Sequence, residues 1–111
     1  MPDRREWSNA EKKIARRAYE TARQAVLAKV LAEFKARAAA VATVDGMWSI
    51  VDELRQRRRE LDDLLSYRYS RLTSVLARLV FEGHLDEKQL TGLSEDKLEE
   101  IRRSVSLMRT P

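Results

Sequence analysis

The stretch DGMWSIVDELRQRRREL, residues 45–61, decides the fold. Its apolar residues recur every three or four positions, which is typical of one face of an α-helix. At about 100° per residue, Arg58 falls inside this stripe, within about 60° of its members: Met47, Val51, Leu54, Leu61 and, just beyond, Leu65. An arginine in an apolar stripe either lays its aliphatic stem along the stripe or pairs with a carboxylate from elsewhere. The stretch therefore predicts an amphipathic helix with a charged contact on its apolar side.

Two carboxylates are candidate partners for Arg58. Asp62 follows it by four residues and could pair with it within the helix. Asp52 points about 120° away on the same helix and cannot reach it there. In a symmetric antiparallel pair of these helices centred near Arg55, however, Asp52 of one chain meets Arg58 of the other. Both partners remain open from the sequence.

The neighbouring side chains have plainer interpretations. Arg57 and Arg59 flank the stripe, and we expect them to be solvated or to form weak surface ion pairs. Trp48, near the helix start, is typical of a packing residue, and it begins a ridge that continues through Asp52, Arg55 and Arg59. Tyr67 and Tyr69 lie near arginines, yet residues two apart on a helix face different ways, so packing is favoured over base stacking.

A long helix is predicted before this stretch. Ser8 and Glu11 have the spacing of a capping box, and strong helix formers continue to about Ala42. About 35 helical residues span roughly 52 Å, whereas a compact globule of this size is only about 34 Å across. If the long helix simply extended beyond the globule, its apolar side would be exposed to water. We therefore expect it to lie against a second chain.

Shorter helices are predicted after it. Asp45 before Gly46 is expected to cap the second helix. The third helix has three candidate caps, Asp62, Asp63 and Ser66, with an apolar side that runs from Leu65 and Tyr69 to Val80. Gly83 has the position of a helix-terminating residue.

The last part of the chain repeats one pattern, a glycine followed by a capping residue and a short helix. Asp86 and Gln89 form a second capping-box pair, and the final helix is predicted from about Ser94 to Met108.

The predicted fold is all-α. One helical domain covers residues 1–111, with a long N-terminal helix and central amphipathic helices that form a dimer interface over about residues 8–63. A small helical head covers about residues 64–108. No stretch has the alternation typical of a strand.

Composition excludes several functional classes. The chain has no cysteine, and its one histidine, His84, follows a glycine in a turn. No nucleophile–base arrangement, phosphate loop or metal-ligand spacing is present, so we predict no enzyme activity, cofactor or metal. No apolar run reaches about 18 residues, and the N-terminal sequence lacks a signal-peptide core, so a cytoplasmic protein is expected.

The charge balance is less decisive. The 22 basic residues are interleaved with 18 acidic ones, for a net charge of +4. A nucleic-acid binder usually concentrates basic charge on one face, so this function is disfavoured. Nucleic-acid binding therefore remains the less favoured alternative, and Arg55, Arg57 and Arg59 would be its phosphate contacts.

The sequence resembles one family. The segments that carry the resemblance occur in that family's order: WSNAEKKIARRAYETA (7–22), MWSIVDELRQRRRELDD (47–63), YRYS (67–70), LARLVFEGHL (76–85) and LTGLSEDKLEEI (90–101). This family is the cyanobacterial fluorescence recovery protein family. The resemblance implies an all-helical, non-enzymatic homodimer that binds photoactivated orange carotenoid protein and accelerates its return to the resting state.

The resemblance also implies site residues, and it shows two departures. Trp48, Asp52 and Arg58 match positions on the family's dimer and partner-binding surface. Val51, Leu54 and Leu61 of the apolar stripe are further candidates for the same surface. The family has a histidine where this chain has Val51 and an aromatic residue in its head where this chain has Ser74. The alternative is therefore that this chain keeps the family's helical scaffold and dimer but binds a different protein.

Overall fold

The computed structural model describes residues 6–110, which fold into helices connected by short turns. The α-helices of this part of the chain are α1 (Asn9–Ala40), α2 (Val44–Leu64), α3 (Leu72–Phe81) and α4 (Glu95–Arg109). Single turns of 3-10 helix, Tyr69–Arg71 and Glu87–Leu90, precede α3 and α4. Within these residues the only β-type pairing is an isolated bridge between Thr91 and Leu93. The all-α prediction is confirmed.

The start of α1 has the predicted capping box. The Ser8 hydroxyl accepts a hydrogen bond from the Glu11 N–H at 3.1 Å, and the Glu11 carboxylate accepts one from the Ser8 N–H at 3.1 Å. Two of the free N–H groups at the helix start are thereby satisfied. The helix then runs for 32 residues to Ala40, close to the expected end, and is about 48 Å long.

The N-cap of α2 lies two residues before the predicted position. Thr43, not Asp45, is the N-cap: its extended backbone stands before the helix, and its hydroxyl accepts from the Gly46 N–H at 3.0 Å. Asp45 instead lies in the first turn of α2. There its negative charge complements the positive end of the helix dipole, which is why an aspartate at that position resembles a cap in the sequence.

None of the three candidate caps begins the third helix. Asp62 and Asp63 lie in the last turn of α2, and α3 starts only at Leu72, without a side-chain cap. Leu65 and Tyr69, assigned to the third helix from the sequence, therefore precede it. At the other end Gly83 has the expected left-handed backbone, with φ of 82°, and its N–H bonds the Val80 carbonyl at 3.0 Å.

The predicted signals of the last segment are confirmed. Asp86 and Gln89 form their capping box around a 3-10 turn, and Ser94 caps α4. The loop between them packs tightly on α1, because a side chain on Gly92 would place its Cβ 2.5 Å from the Ile14 side chain.

One apolar core joins the first half of α1 to the end of α2, to α3, to the Glu87–Leu90 turn and to α4. Its fully buried larger side chains include Leu72, Leu76, Leu79, Leu90, Ile101 and Val26. Ala15, Ala18 and Ala22 supply the α1 side of the contact, and their small side chains let the other helices approach closely. We call this packed region the head core.

The rest of α1 and α2 extend away from the head core as a hairpin, which we define as residues 27–63. The molecule measures 61 × 32 × 22 Å, with a radius of gyration of 17.0 Å. A compact chain of this length would have a radius of gyration near 13 Å. Every residue from 31 to 40 is exposed, so α2 covers the second half of α1 only in part, through contacts such as the one between Arg37 and Glu53.

Candidate protein-interaction surface

The inner face of α2, which is the side towards α1, consists of residues spaced alternately four and three positions apart. Ile50, Leu54, Arg57, Leu61 and Leu64 lie within about 80° of one another on the helix, and this face packs towards α1. Ile50 and Leu64 are the buried residues of α2, at 8% and 6% exposure. The sequence-based stripe was centred on Arg58 and therefore missed Ile50. The same periodicity counted from Leu64 would have found it.

Ion pairs also connect the two helices of the hairpin. Arg37 forms a two-pronged contact with Glu53, including a hydrogen bond of 3.1 Å from Nε to Oε2. Arg57 lies 3.9 Å from Glu33 on α1 and 3.5 Å from Glu60. These side chains are roughly half exposed, so each pair contributes only about 0–1 kcal/mol. Arg57 is thus in surface ion pairs, as expected.

Arg58 borders a groove of about 450 Å³ between α1 and α2. Apolar side chains from both helices form most of the floor of this groove: Leu27, Val30, Leu54, Leu61 and Leu65. Arg23 and Asp62 stand at its edge with Arg58. Within residues 6–110 Arg58 has no carboxylate within 4.0 Å, so the ion pair with Asp62 that the spacing allowed is not formed. The guanidinium is exposed and available to another chain.

The six predicted site residues divide between this groove and the outer side of α2. Leu54, Arg58 and Leu61 border the groove. Val51 is half-buried, and Asp52 is exposed. Trp48 is 57% exposed, so the expectation that it packs into the core of its own chain was wrong. Its place near the start of α2, one turn before Asp52, directs it away from α1.

Large apolar side chains are exposed along the hairpin. They are Leu31 and Phe34 on α1, and Val44, Met47, Trp48 and Leu54 on α2. Isolated exposed apolar residues are ordinary, but a set concentrated on one hairpin marks an interaction surface. Arg58 lies among them, and it has no carboxylate within 4.0 Å among residues 6–110. The hairpin therefore has the apolar centre and charged edge of a protein–protein contact.

The tyrosines near the end of α2 pack together, as predicted. Tyr19 meets Tyr67 edge-on with ring centroids 4.8 Å apart, and Tyr67 meets Tyr69 at 5.7 Å. The Arg16 guanidinium lies 4.7 Å from the Tyr67 ring centre. Burial raises the pKa of both Tyr19 and Tyr67 above 10.0. These rings are therefore committed to packing and stay protonated at neutral pH.

No site for catalysis stands out in the part of the chain that the structure describes. There, no three His, Asp or Glu side chains come together as potential metal ligands. The half-buried His84 lies in the turn after α3, as predicted. None of the helices between residues 6 and 110 is both long and apolar enough to cross a membrane. An elongated helical scaffold with exposed apolar side chains along a hairpin is typical of the class of helical protein-binding proteins.

The comparisons with known proteins assign the chain to a family within that class. The model of the family described as photoprotection regulator fluorescence recovery protein matches residues 7–105. The chain belongs to this family. The curated fluorescence recovery protein of Synechocystis sp. is 33% identical over 96 residues, which cover 86% of this chain and 88% of that protein.

Solved structures of the family share the fold. The fluorescence recovery protein of Fremyella diplosiphon superposes with a TM-score of 0.86 at 28% identity, over 91% of this chain and 99% of that one. The structure from Synechocystis sp. PCC 6803 gives a TM-score of 0.85 at 32% identity, with the same coverage. The predicted family and all-helical fold are both confirmed.

Proposed function

We propose that this protein is a cytoplasmic homodimer that binds photoactivated orange carotenoid protein and accelerates its return to the resting state, without acting as an enzyme. The family is one of photoprotection regulators, which supports a regulatory role. The observation that carries the proposal is the hairpin surface, where exposed apolar side chains lie around Arg58, which has no carboxylate partner among the described residues. A surface of this composition is typical of a contact with another chain.

The first partner is a second copy of the chain. Two hairpins in antiparallel contact cover Phe34, Met47 and Leu54 from water, since the same patch meets itself about a two-fold axis. Asp52 of each chain then stands opposite Arg58 of the other. The exposed positions of Asp52 and Arg58, which have no ion pair between them within one chain, support this pairing.

The second partner is the carotenoid protein. A binding protein shifts a conformational equilibrium only by as much as its affinity differs between the two states. The homodimer therefore has to bind the photoactivated protein through contacts that favour the resting arrangement. Trp48 is exposed near the start of α2 and Val51 is half-buried beside it, so these residues are candidates for that contact. The head, residues 64–108, supplies the remaining surface.

A different protein partner is the alternative function, and two positions favour it. Val51 replaces a histidine expected from the family resemblance, and it is only half-buried. Ser74 replaces an aromatic residue and is exposed on α3. Both substitutions remove a large side chain from accessible surface. They change what the surface binds without disturbing the core.

Nucleic-acid binding is the less favoured alternative. Arg57, one of its three arginines, is already paired with carboxylates of its own chain. A measurement of affinity against salt concentration distinguishes it, because phosphate contacts weaken steeply as salt rises.

The experiment is reconstitution with orange carotenoid protein in the light. The purified chain is mixed with the photoactivated protein, and the colour recovery in darkness is timed by absorbance. We expect faster recovery, and a complex by size-exclusion chromatography, with the Arg58→Glu variant as the control that loses both. Unchanged recovery and no complex with several carotenoid proteins would support the different-partner alternative instead.

A further inference from the structure

Met47 places an exposed thioether on the hairpin. The chain contains three methionines and no cysteine, so all of its sulfur is thioether. Met47 is the fourth residue of α2, and its N–H bonds the Thr43 carbonyl at 3.1 Å. The residue is 46% exposed, and its neighbours Val44 and Trp48 are also exposed. Solutes therefore reach the Met47 side chain in the free chain.

Met47 also belongs to the apolar stripe of α2. At about 100° per residue it lies within about 40° of Val51, Leu54 and Arg58 on the helix. It lies outside the head core, and the buried residues of α2 are others, Ile50 and Leu64. A chemical change at Met47 therefore alters the stripe without disturbing the packing of one chain.

The antiparallel arrangement proposed for the dimer gives Met47 an apolar environment. Met47 precedes Asp52 by five residues. When Asp52 lies opposite Arg58 of the other chain, Met47 lies opposite the position five residues after that arginine, between Leu61 and Leu65. Both leucines border the groove beside Arg58. Association thus replaces the water around the thioether with apolar side chains.

We propose that Met47 is an oxidant-sensitive modification site, and that its conversion to methionine sulfoxide by hydrogen peroxide opposes the association of two hairpins. The inference rests on the proposed hairpin dimer and adds a means of regulating it. It does not depend on the carotenoid protein, because both the modified residue and the contact it controls belong to copies of this chain.

The reaction requires only the thioether and peroxide. A lone pair of the Met47 sulfur attacks one peroxide oxygen, and an S–O bond forms as the O–O bond breaks. The departing hydroxide takes the proton from the transferred oxygen and becomes water. The sulfur loses two electrons and the peroxide gains them. The product is a polar sulfoxide, which methionine sulfoxide reductases convert back to the thioether.

The sulfoxide is unfavourable in the contact between copies. In the free chain, water donates hydrogen bonds to its oxygen. Between Leu61 and Leu65 of the other chain the oxygen meets no donor, and a buried polar group without a partner is costly. We expect the dimer dissociation constant to rise about tenfold for each buried sulfoxide. A symmetric dimer buries two, so the full effect is about 100-fold.

Met108 provides an internal control. It lies one residue before the end of α4, outside the hairpin, and is 36% exposed. Because the dimer covers Met47 and leaves Met108 open, the oxidation rate of Met47 should fall as protein concentration rises through the dissociation constant. The rate for Met108 should stay constant. Mass spectrometry of proteolytic fragments follows the gain of one oxygen at each residue.

The test compares dimer dissociation constants before and after peroxide treatment, by analytical ultracentrifugation. The native chain and the Met108→Leu variant should both weaken about 100-fold after treatment, whereas the constant of Met47→Leu should not change on treatment. The ratio within each variant is the readout, so differences in starting affinity cancel. Met47→Gln, which places a polar side chain of similar length there, should dissociate more readily than Met47→Leu without any peroxide. Treatment with methionine sulfoxide reductases and a dithiol should restore the native affinity.

Two failures are distinguishable. A native chain that is monomeric before peroxide contradicts the hairpin dimer, and the inference with it. A dimer that keeps its affinity once Met47 is fully oxidised overturns this inference alone, as does a Met47 oxidation rate that does not depend on protein concentration.

Discussion

Lys97 and Glu11 form a buried ion pair that joins the start of α4 to the start of α1. The Lys97 ammonium lies 3.2 Å from Glu11 Oε1, and the two side chains are 4% and 12% exposed. The ammonium also donates to the Glu6 carbonyl at 2.7 Å and lies 4.9 Å from the centre of the Trp7 ring. The second carboxylate oxygen accepts from the Ser94 N–H at 2.9 Å. Glu11 thus satisfies N–H groups at both helix starts.

This pair predicts acid sensitivity. Burial alone would raise the pKa of Glu11, but hydrogen bonds from the Ser94 and Ser8 N–H groups and from Lys97 outweigh it and lower the pKa from 4.5 to about 2. A lowered carboxylate pKa stabilises the fold above pH 4.5, and this contribution is lost as the pH falls towards 2. The loss is on the order of 3 kcal/mol. Urea unfolding at a series of pH values measures it.

The Glu11→Gln variant is the control for that pH dependence. Its free energy of unfolding should be lower than that of the native chain at pH 7 and should fall less between pH 4.5 and 2, because the ionisable group is gone. Equal slopes for the two proteins across this range would show that Glu11 is not the group responsible.

Removal of the cation alone should be more damaging at neutral pH. Lys97→Met leaves the Glu11 carboxylate buried without its countercharge, at a cost of about 3–5 kcal/mol. Adding Glu11→Gln to it should recover part of the stability, since no buried charge is then left unpaired. Thermal or urea unfolding of the single and double variants makes the comparison. A double variant less stable than Lys97→Met would contradict the pairing.

The head core predicts a contrast between two leucines. Leu76 is fully buried, whereas Leu107 is 68% exposed. Leu76→Ala should lower the free energy of unfolding by about 2–5 kcal/mol through lost burial and the cavity left behind. Leu107→Ala should change it by less than about 0.5 kcal/mol. Similar losses in both variants would be inconsistent with the position of the core.

The two tryptophans allow association to be observed directly. Trp7 is buried at 8% exposure, whereas Trp48 is 57% exposed. In a Trp7→Phe variant the remaining emission comes from Trp48 alone, and it should shift to shorter wavelength as concentration rises and the hairpin becomes covered. Trp48→Ala should leave the thermal stability of the dilute chain almost unchanged. Emission independent of concentration would mean that Trp48 lies outside any contact between copies.

Local signals in the sequence predicted the helix ends that local chemistry determines. The capping boxes at Ser8 and Asp86 and the glycine after α3 need only nearby residues, and all three are confirmed. The start of α3 could not be predicted, because it has no side-chain cap and the residues before it contact Tyr19, which lies 46 residues before Leu65 in the chain. Asp45 resembled a cap because first-turn acids and capping residues are chemically alike.

Helical periodicity in the sequence predicted only part of the candidate surface. Periodicity located Arg58 among apolar residues, and the structure places it beside the groove with Leu54 and Leu61. Periodicity could not tell which side of α2 packs against α1, since both sides contain apolar residues. Ile50 was therefore missed, and Trp48 was assigned to packing although it is exposed.

The proposed association of two hairpins through Asp52 and Arg58 is tested most directly by a charge-swap cycle of dimer dissociation constants, measured by analytical ultracentrifugation. The native chain of 12.9 kDa should sediment at roughly twice that mass. Arg58→Glu should weaken the dimer about 100-fold or more, because two carboxylates then face each other. Arg109→Glu makes the same charge change at the exposed C-terminal end of α4 and should have little effect.

Adding Asp52→Arg to Arg58→Glu should restore most of the affinity, since the opposite charges again meet. This non-additive recovery is the result that the account predicts. Effects of the two substitutions that simply add, or a native chain that stays monomeric at micromolar concentration, would contradict it.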